Sequence, residues 1–212
     1  MHDAGLKVAA DRDNSDYVYS VKDLASLEGR HYHKKRNLIK QCLRTYGCQY
    51  ESIILQVVPE CLDMLERWCG ARDCGQDPGL CSENTAIKEA FANYEELDLI
   101  GGSIRIDGRI EAFALGEELK PGTAVCHFEK AMPAFRGLAQ LINKWFAEYS
   151  LKEFEFINRE QDLGIAGLRQ AKESYYPHHM VDKFYASSKL DDPSNLVLLN
   201  PHECGKHAPW DS

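Results

Sequence analysis

The stretch Thr123–Pro177 decides the fold: TAVCHFEKAMPAFRGLAQLINKWFAEYSLKEFEFINREQDLGIAGLRQAKESYYP. It opens with a strand pattern, TAVCHFE, and continues through a turn of small residues into a helical pattern, FRGLAQLINKWFAEY. A second strand pattern, FEFIN, is followed by a charged loop, a second helical pattern and a Tyr-Tyr-Pro stop. A strand that enters a helix through Arg-Gly-x-Ala leaves backbone N–H groups free at the helix start, where a phosphate group can bind.

Outside this block, the sequence predicts helices and mostly antiparallel strands. A helical pattern with an apolar stripe covers His31–Tyr46, and a strand pattern covers Tyr50–Val57. Two helical patterns follow, and then a hairpin over Ile100–Leu119 turns at Asp107-Gly108, a dipeptide that favours a type I′ turn. This order predicts an α+β fold with a mixed, mostly antiparallel sheet flanked by helices. We interpret residues 1–16 as a tail or truncated linker, 17–186 as the folded domain and 187–212 as an irregular C-terminal extension.

The charge is unevenly placed along the chain. The net charge of −8 over 212 residues disfavours generic binding to duplex nucleic acid, which needs many Lys and Arg against phosphates. The segment from Arg30 to Arg44 nevertheless holds six Lys and Arg and no acidic residue. We therefore expect one basic face on an acidic body.

No apolar run is long enough for a transmembrane segment, and the N-terminal residues lack the apolar core of a signal peptide. We therefore expect a cytoplasmic protein whose eight cysteines are reduced thiols. Four of them, Cys61, Cys69, Cys74 and Cys81, fall within 21 residues. Their spacing contains no C-x-x-C pair, so we predict buried thiols there and no metal site.

Several separate blocks resemble one family. DYVYSVKDLASLEGRHYHKKRNLIKQ, FALGEELKPGTAVCHFEKA, FRGLAQLINKWFA and INREQDLGIAGLRQAKESYYP are similar to bacterial proteins with a phosphatidylglycerol lysyltransferase C-terminal-type domain. These are tandem GNAT-like (Fem-like) proteins, and the resemblance runs from about Asp16 to Ala186. It implies a GNAT-like fold and transfer of an acyl or aminoacyl group from acyl-CoA or aminoacyl-tRNA to an amine or hydroxyl acceptor, such as a lipid or an amino acid.

The chain departs from that family in two ways. Full-length members carry a first GNAT-like half before the strand at Asp16, and we expect this chain to lack that half. The loop Arg136–Ala139 also has fewer glycines than the usual acetyl-CoA loop. The alternative is therefore a catalytically incomplete half-protein that binds an anionic ligand or a partner, either a second copy of itself or the missing half.

The resemblance implies roles for particular residues. The donor's phosphates would bind at Arg136, Gly137, Leu138 and Ala139, although the reduced loop disfavours acetyl-CoA. Glu129 is a candidate general base for an amine, and Tyr175 a candidate general acid for the leaving group, because a phenol can donate a proton without being ionised at rest. For both residues an ordinary structural role is the alternative.

A second set of residues is predicted to bind substrate. The basic helix could bind the acceptor end of a tRNA, a nucleotide-containing donor or, as a peripheral contact, an anionic lipid headgroup. A solvated basic face is the competing interpretation. The charged loop after FEFIN suits binding of polar substrates, with Asp162 favoured as a helix cap. The predicted substrate-binding residues are Lys34, Arg36, Asn37, Asn158, Arg159 and Glu160.

Overall fold

The structure, a computed structural model, describes residues 6–72 and 77–188. Seven strands form one sheet in the order β2-β3-β4-β5-β6-β1-β7. All neighbouring pairs are antiparallel except β5 and β6, which are parallel. The strands are β1 Leu6–Ser20, β2 Gln49–Ser52, β3 Ile100–Ile106, β4 Arg109–Lys120, β5 Thr123–Ala131, β6 Phe156–Asn158 and β7 His179–Ser188.

The described part of the chain also contains six α-helices: α1 Val21–Ser26, α2 His33–Thr45, α3 Val58–Arg72, α4 Pro78–Ala92, α5 Leu138–Trp145 and α6 Ala166–Glu173. A π-helical turn, Phe146–Ser150, extends α5. The helices cover both faces of the sheet, which confirms the predicted α+β class with a mixed, mostly antiparallel sheet.

The two cores follow from alternation along the central strand β4. Phe113 and Leu115 pack with α3 and α4 on one face. Ala112 and Ala114 point the other way, into the core formed with α1, α2 and α5. Successive side chains of a strand face opposite sides, so a continuous apolar run such as this one fits a strand buried on both faces.

The sheet opens between β5 and β6. The two strands pair only over Thr123–Val125 and Phe156–Asn158, whereas β5 continues to Ala131. In this opened part, β5 also carries a β-bulge against β4. Leu115 pairs with Phe128 and Gly116 with Cys126, so His127 is an extra residue outside the ladder. The opening and the bulge together place polar side chains of β5 beside a gap in the sheet.

Several predicted boundaries were wrong. β1 begins at Leu6 rather than Asp16, so part of the segment interpreted as a tail is a strand paired with β7. β2 ends at Ser52 because the chain turns into α3, five residues before the predicted strand end. β7 reaches Ser188, and the rest of the interpreted extension lies outside the described residues, as does Cys74.

The cysteines follow the sequence expectation only in part. Cys42, Cys48, Cys61 and Cys126 carry free thiols, whereas Cys81 forms a disulfide, so the expectation of reduced thiols was wrong there. Within the described ranges, no group of three or more His, Cys, Asp or Glu residues is placed to hold a metal ion. None of the helices in those ranges is long and apolar enough to cross a bilayer.

Candidate active-site cleft

A cavity of about 350 Å³ lies where β5 and β6 separate. The carboxyl ends of these two strands form its floor, the start of α5 lies on one side and α6 on the other. The cavity is large enough for part of a small-molecule or nucleotide substrate. Its polar lining residues are Glu83, His127, Glu129, Gln140, Arg159, Glu160, Gln161, Lys172 and Tyr175.

Arg159 is the central cation of this cleft. Its Nη2 lies 3.1 Å from Oε2 of Glu129, and the same oxygen accepts a hydrogen bond from Nδ2 of Asn143 at 3.1 Å. Burial is the largest single effect and would lower the pKa of Arg159, but the negative charge of Glu129 together with the electrostatic effects of Tyr19, Cys126 and Tyr175 outweighs it, and the pKa is raised. Oε1 of Glu129 has no hydrogen-bond partner among the described residues, so it remains able to accept a proton from a substrate.

Two lysines converge near Arg159 without an acidic partner. Nζ of Lys172 donates to the backbone carbonyls of Arg159 and Glu160. Nζ of Lys35 donates to Oγ of Ser174 at 2.7 Å. Burial, followed by the charge of Arg159, lowers the pKa of both lysines to about 8. Neither ammonium lies within ion-pair distance of a carboxylate in the part of the chain described, so this corner of the cleft favours an anion.

Tyr175 lies between these cations at the end of α6. It is 7% exposed, and Nζ of Lys35 is 3.7 Å from the centre of its ring. Burial raises the pKa of its phenol. Its hydroxyl has no hydrogen-bond partner within the described residues, and the side chain lines the cavity. The phenol is therefore protonated at neutral pH and available to a bound ligand.

The bulge directs His127 between two carboxylates. Nδ1 lies 3.0 Å from Oε1 of Glu160, and Nε2 lies 3.1 Å from Oε1 of Glu117. Both ring nitrogens can donate only in the imidazolium form. The hydrogen bond to Glu160, and then that to Glu117, raise the pKa of His127 against the opposing effect of burial. This bridge attaches the loop after β6 to β4 and β5.

Asp162 anchors the loop after β6 on the side that faces away from the cleft, below the loop, and its side chain is fully buried. Its carboxylate accepts hydrogen bonds from the hydroxyl of Tyr17 at 2.5 Å and from Nε and Nη2 of Arg169 at 2.8 Å. It also accepts the N–H of Gly164, two residues before α6, so its capping is an Asx-type turn rather than a helix N-cap. Asp162 positions the loop and does not line the cavity.

The start of α5 provides unpaired backbone donors. The N–H groups of Ala139 and Gln140 have no hydrogen-bond acceptor among the residues that the structure describes, and both residues line the cleft. Gly137 begins the helix with φ of +90°, and a Cβ there would lie 2.4 Å from the carbonyl oxygen of Leu38. The glycine therefore permits α2 and α5 to approach closely, and it leads the chain into the donor-rich turn.

Three of the predicted residues meet outside the cleft. Lys34, Asn37 and Arg136 line a separate surface pocket of about 310 Å³ on the α2 side of the α5 start. Arg36, in contrast, donates to the backbone carbonyls of Leu27 and Gly29 and so braces the turn before α2. The residues of the basic helix α2 therefore have three surroundings: Lys34 and Asn37 line a surface pocket, Arg36 makes a structural contact, and Lys35 packs against Tyr175 of the cleft.

The remaining predicted residues fall at the cleft or directly behind it. Glu129, Arg159, Glu160, Tyr175 and Ala139 line it. Asn158 is buried behind it, where its Oδ1 accepts the N–H of Glu160 at 2.7 Å. Leu138 is buried in the core.

Sequence reasoning gave no role to Lys35 or His127 and left Lys172 open. Lys35 had a readable signal, because it follows Tyr32 by three residues and precedes Ile39 by four, on the buried stripe of α2. A charged residue on an apolar stripe indicates a polar site beneath the helix. The bulge that positions His127 left no comparable signal in the sequence.

The family follows from comparison of this chain with known proteins. The family model described as "Phosphatidylglycerol lysyltransferase, C-terminal" matches residues 1–187. The chain belongs to this family. The predicted resemblance and the GNAT-like fold are thereby confirmed. No curated protein matches the sequence.

Solved structures with the same fold include other members of this type. A conserved protein of unknown function from Bacteroides thetaiotaomicron VPI-5482 is 37% identical and superposes with a TM-score of 0.84, over 89% of this chain and 64% of the other. The C-terminal domain of a putative lysylphosphatidylglycerol synthetase from Agrobacterium fabrum is 16% identical (TM-score 0.60, covering 87% and 62%). L-PGS from Bacillus licheniformis is 14% identical (TM-score 0.63, covering 90% and 64%). This chain therefore spans less than two thirds of the length of these structures.

Proposed function

We propose that this chain is a transferase domain that moves an acyl or aminoacyl group from a carrier to an amine or hydroxyl acceptor in the cytoplasm. The observation that carries the proposal is the convergence of Arg159, Lys172 and Tyr175, whose hydroxyl has no partner among the described residues, in the cleft between β5 and β6. Membership of the lysyltransferase family supports a transferase-like module of this kind.

The cations and the start of α5 bind the donor. Lys172 and Lys35 lack acidic partners, and the N–H groups of Ala139 and Gln140 are unpaired among the described residues. These groups suit the phosphates of a nucleotide-containing carrier, because buried cations and helix N-termini both favour anions. The pocket at Lys34, Asn37 and Arg136 extends the basic surface toward the rest of a tRNA acceptor end.

The chemical step then needs two proton transfers. The acceptor nitrogen or oxygen attacks the carbonyl carbon, a new C–N or C–O bond forms, and the C–O or C–S bond to the carrier breaks. Oε1 of Glu129 takes the acceptor's proton, and the hydroxyl of Tyr175 gives its proton to the leaving oxygen or sulfur. Transfer of a proton from Glu129 back to the phenolate, through solvent, restores both groups.

The environment of Tyr175 favours an ester donor over a thioester. Burial raises the pKa of its phenol, which makes it a weaker acid. A thiolate leaves readily without protonation, since thiols ionise near pH ~8.5. The far more basic ribose oxygen of an aminoacyl-tRNA needs a proton as it leaves, so an aminoacyl-tRNA is the donor that this site suits better.

The test is transfer of radiolabel by the purified chain. The donors are lysyl-tRNA labelled in the lysyl group and labelled acetyl-CoA, and the acceptors are phosphatidylglycerol vesicles and a mixture of small amines. We expect transfer from lysyl-tRNA and a loss of about 100-fold in kcat for Tyr175→Phe, because general acid catalysis contributes about 10²–10⁴-fold.

Tyr176→Phe is the matched control, since this neighbouring tyrosine is 57% exposed and does not line the cleft. Equal rates for the two tyrosine variants and the wild type would overturn the assigned role of Tyr175. If neither donor supports transfer in a chain that melts cooperatively, the assignment as a transferase is overturned. The alternative, a non-catalytic binding module, then remains.

One observation favours that second candidate. The outer strands β1 and β7 expose large apolar side chains: Val8 and Phe184, 65% and 63% exposed, lie on one face of this strand pair, and Tyr185, 51% exposed, lies on the other. An apolar patch at a sheet edge is typical of an interface. A module that docks a second copy or a further GNAT-like half through this edge is therefore the alternative function, and sedimentation velocity of the wild type against Phe184→Lys tests it.

A further inference from the structure

A second cavity lies on the other side of His127. It has a volume of about 380 Å³, is open to the surface and is bordered by α4, the loop after it, β4 and β5. His127 lines both this cavity and the cleft, so its imidazole forms the wall between them. The apolar lining residues are Ala86, Ala90, Leu97, Leu99, Leu115 and Phe128.

The polar residues of this cavity favour a cation. They are Glu89, Asn93, Glu117 and His127, and no Lys or Arg is among the described residues that line it. Oε1 of Glu117 faces the imidazole, whereas its Oε2 has no hydrogen-bond partner in the described ranges. Glu89 is likewise without an ion pair there. Two carboxylates against one imidazolium leave the cavity negative, in contrast to the cationic corner at Lys172 and Lys35.

We propose that this cavity binds a primary amine that carries an apolar chain, with the ammonium group on Glu117 and the chain among the apolar residues. The apolar walls remove the chain from water, and the carboxylate pairs with the ammonium group. The bound nitrogen lies at the wall shared with the cleft. Its identity as the acceptor rests on the proposed function, whereas its binding does not.

The test is a titration of the purified chain, without any donor, followed by ¹H–¹⁵N NMR. The probes are hexylammonium, hexanol and hexanoate, which share an apolar chain and differ in charge. We expect hexylammonium to bind at least tenfold more tightly than hexanoate, with hexanol between them. The amide shifts should cluster at α4 and at Leu115–Glu117.

Two variants and one control locate the site. Glu117→Gln removes the carboxylate charge and should weaken hexylammonium about tenfold while leaving hexanol unchanged. Glu118→Gln is the matched control, because Glu118 is the exposed neighbour that does not line the cavity. Ala86→Phe, at an exposed position of α4, fills the cavity and should abolish binding of all three probes.

Equal binding of hexylammonium and hexanoate would overturn the proposal, as would equal effects of Glu117→Gln and Glu118→Gln. Shifts confined to the cleft between β5 and β6 would also overturn it. Because the titration contains no donor, these outcomes are independent of the transfer assay. If the chain is a transferase without this amine site, the transfer assay is positive and the titration is negative. If it binds the amine without transferase activity, the two results are reversed.

Discussion

Two charged clusters lie on either side of the loop after β6, and they differ in how completely they are paired. Below the loop, the buried carboxylate of Asp162 accepts hydrogen bonds from Tyr17, Arg12, Arg169 and the N–H of Gly164. Above it, the cleft holds Lys172 and Tyr175, and Lys35 packs against the Tyr175 ring; within the described ranges neither ammonium has an acidic partner and the Tyr175 hydroxyl has no hydrogen-bond partner.

The difference separates a structural role from a functional one. A fully paired cluster has no capacity left for a ligand, and its removal is felt in stability. A cluster with more cations and hydrogen-bond donors than acceptors destabilises the unliganded fold. It is retained where a bound ligand supplies the missing negative charge. Both clusters perturb pKa values, so a perturbed pKa alone does not distinguish them.

The largest effect is expected from breaking the paired cluster. Asp162→Ala leaves the hydroxyl of Tyr17 without its acceptor and the guanidinium of Arg169 with Asp13 as its remaining acidic partner. Loss of one partner of a buried charge cluster costs about 3 kcal/mol of unfolding free energy. Chemical denaturation measures it, with Asp182→Asn on the exposed face of β7 as the control.

The same cluster sets a pH dependence at the acid end. The hydrogen bonds from Arg169 and Tyr17 hold the pKa of Asp162 below its ordinary value. A carboxyl with a lowered pKa contributes stability above its unfolded pKa of about 3.9 and loses it as the pH falls. The difference between wild type and Asp162→Ala should therefore shrink below about pH 4. A constant difference would show that ionisation of this carboxyl does not contribute.

A smaller effect distinguishes two buried tyrosines. Tyr17→Phe removes the 2.5 Å hydrogen bond to Asp162, and we expect a loss of about 1.5 kcal/mol in unfolding free energy. Tyr175→Phe removes a hydroxyl with no partner among the described residues and should leave stability within about 0.5 kcal/mol of the wild type. Denaturation curves for both variants, recorded together, test the comparison directly. Equal losses would place the Tyr175 hydroxyl in a structural contact.

The smallest expected change in unfolding free energy is a gain in stability. Lys172→Met removes a buried charge without an acidic partner and should stabilise the fold by about 1 kcal/mol at pH 7. Since its folded pKa of about 8 lies below the unfolded value of about 10.4, the charged lysine disfavours folding below pH 8. That cost disappears as the pH rises above about 10, so the gain should vanish there.

The same titration has the opposite sign for ligand binding. Inorganic pyrophosphate, measured by calorimetry, should bind more weakly at pH 9 than at pH 7, because the ammonium group loses its charge near pH 8. Lys172→Arg keeps its charge at both values and should give a shallower dependence. Equal affinity of the wild type at both pH values would mean that the anion binds elsewhere.

Much of the fold could be predicted because its signals are local. Asp107 and Gly108 have φ values of +48° and +81°, as the predicted type I′ turn requires. Glu129, Arg159, Glu160 and Tyr175 meet in one cleft, and all four come from the single stretch Thr123–Pro177. The strand ends in that stretch are close in space because β5 and β6 are parallel neighbours.

What could not be predicted depends on partners distant in the chain. Leu6–Asp11 have no clear alternation, and they become a strand because they pair with Lys183–Ser188. Lys35 on α2 packs against Tyr175 of the cleft, and Asp162 meets Tyr17 across 145 positions. The pairing of β1 with β7 and the contact of Asp162 with Tyr17 have no local signature, whereas Lys35 had one as a charged residue on the apolar stripe of α2.

The pairing of β1 with β7 has an engineering consequence. Leu6 lies opposite Ser188, so the start of β1 and the end of β7 are adjacent at one edge of the sheet. A short linker between these positions would permit circular permutation, with new termini at the exposed Asp107-Gly108 turn. Such a permutant would keep every strand pairing and leave the cleft untouched, and the ribosome would make β4–β7, which hold most of the cleft, before β1–β3.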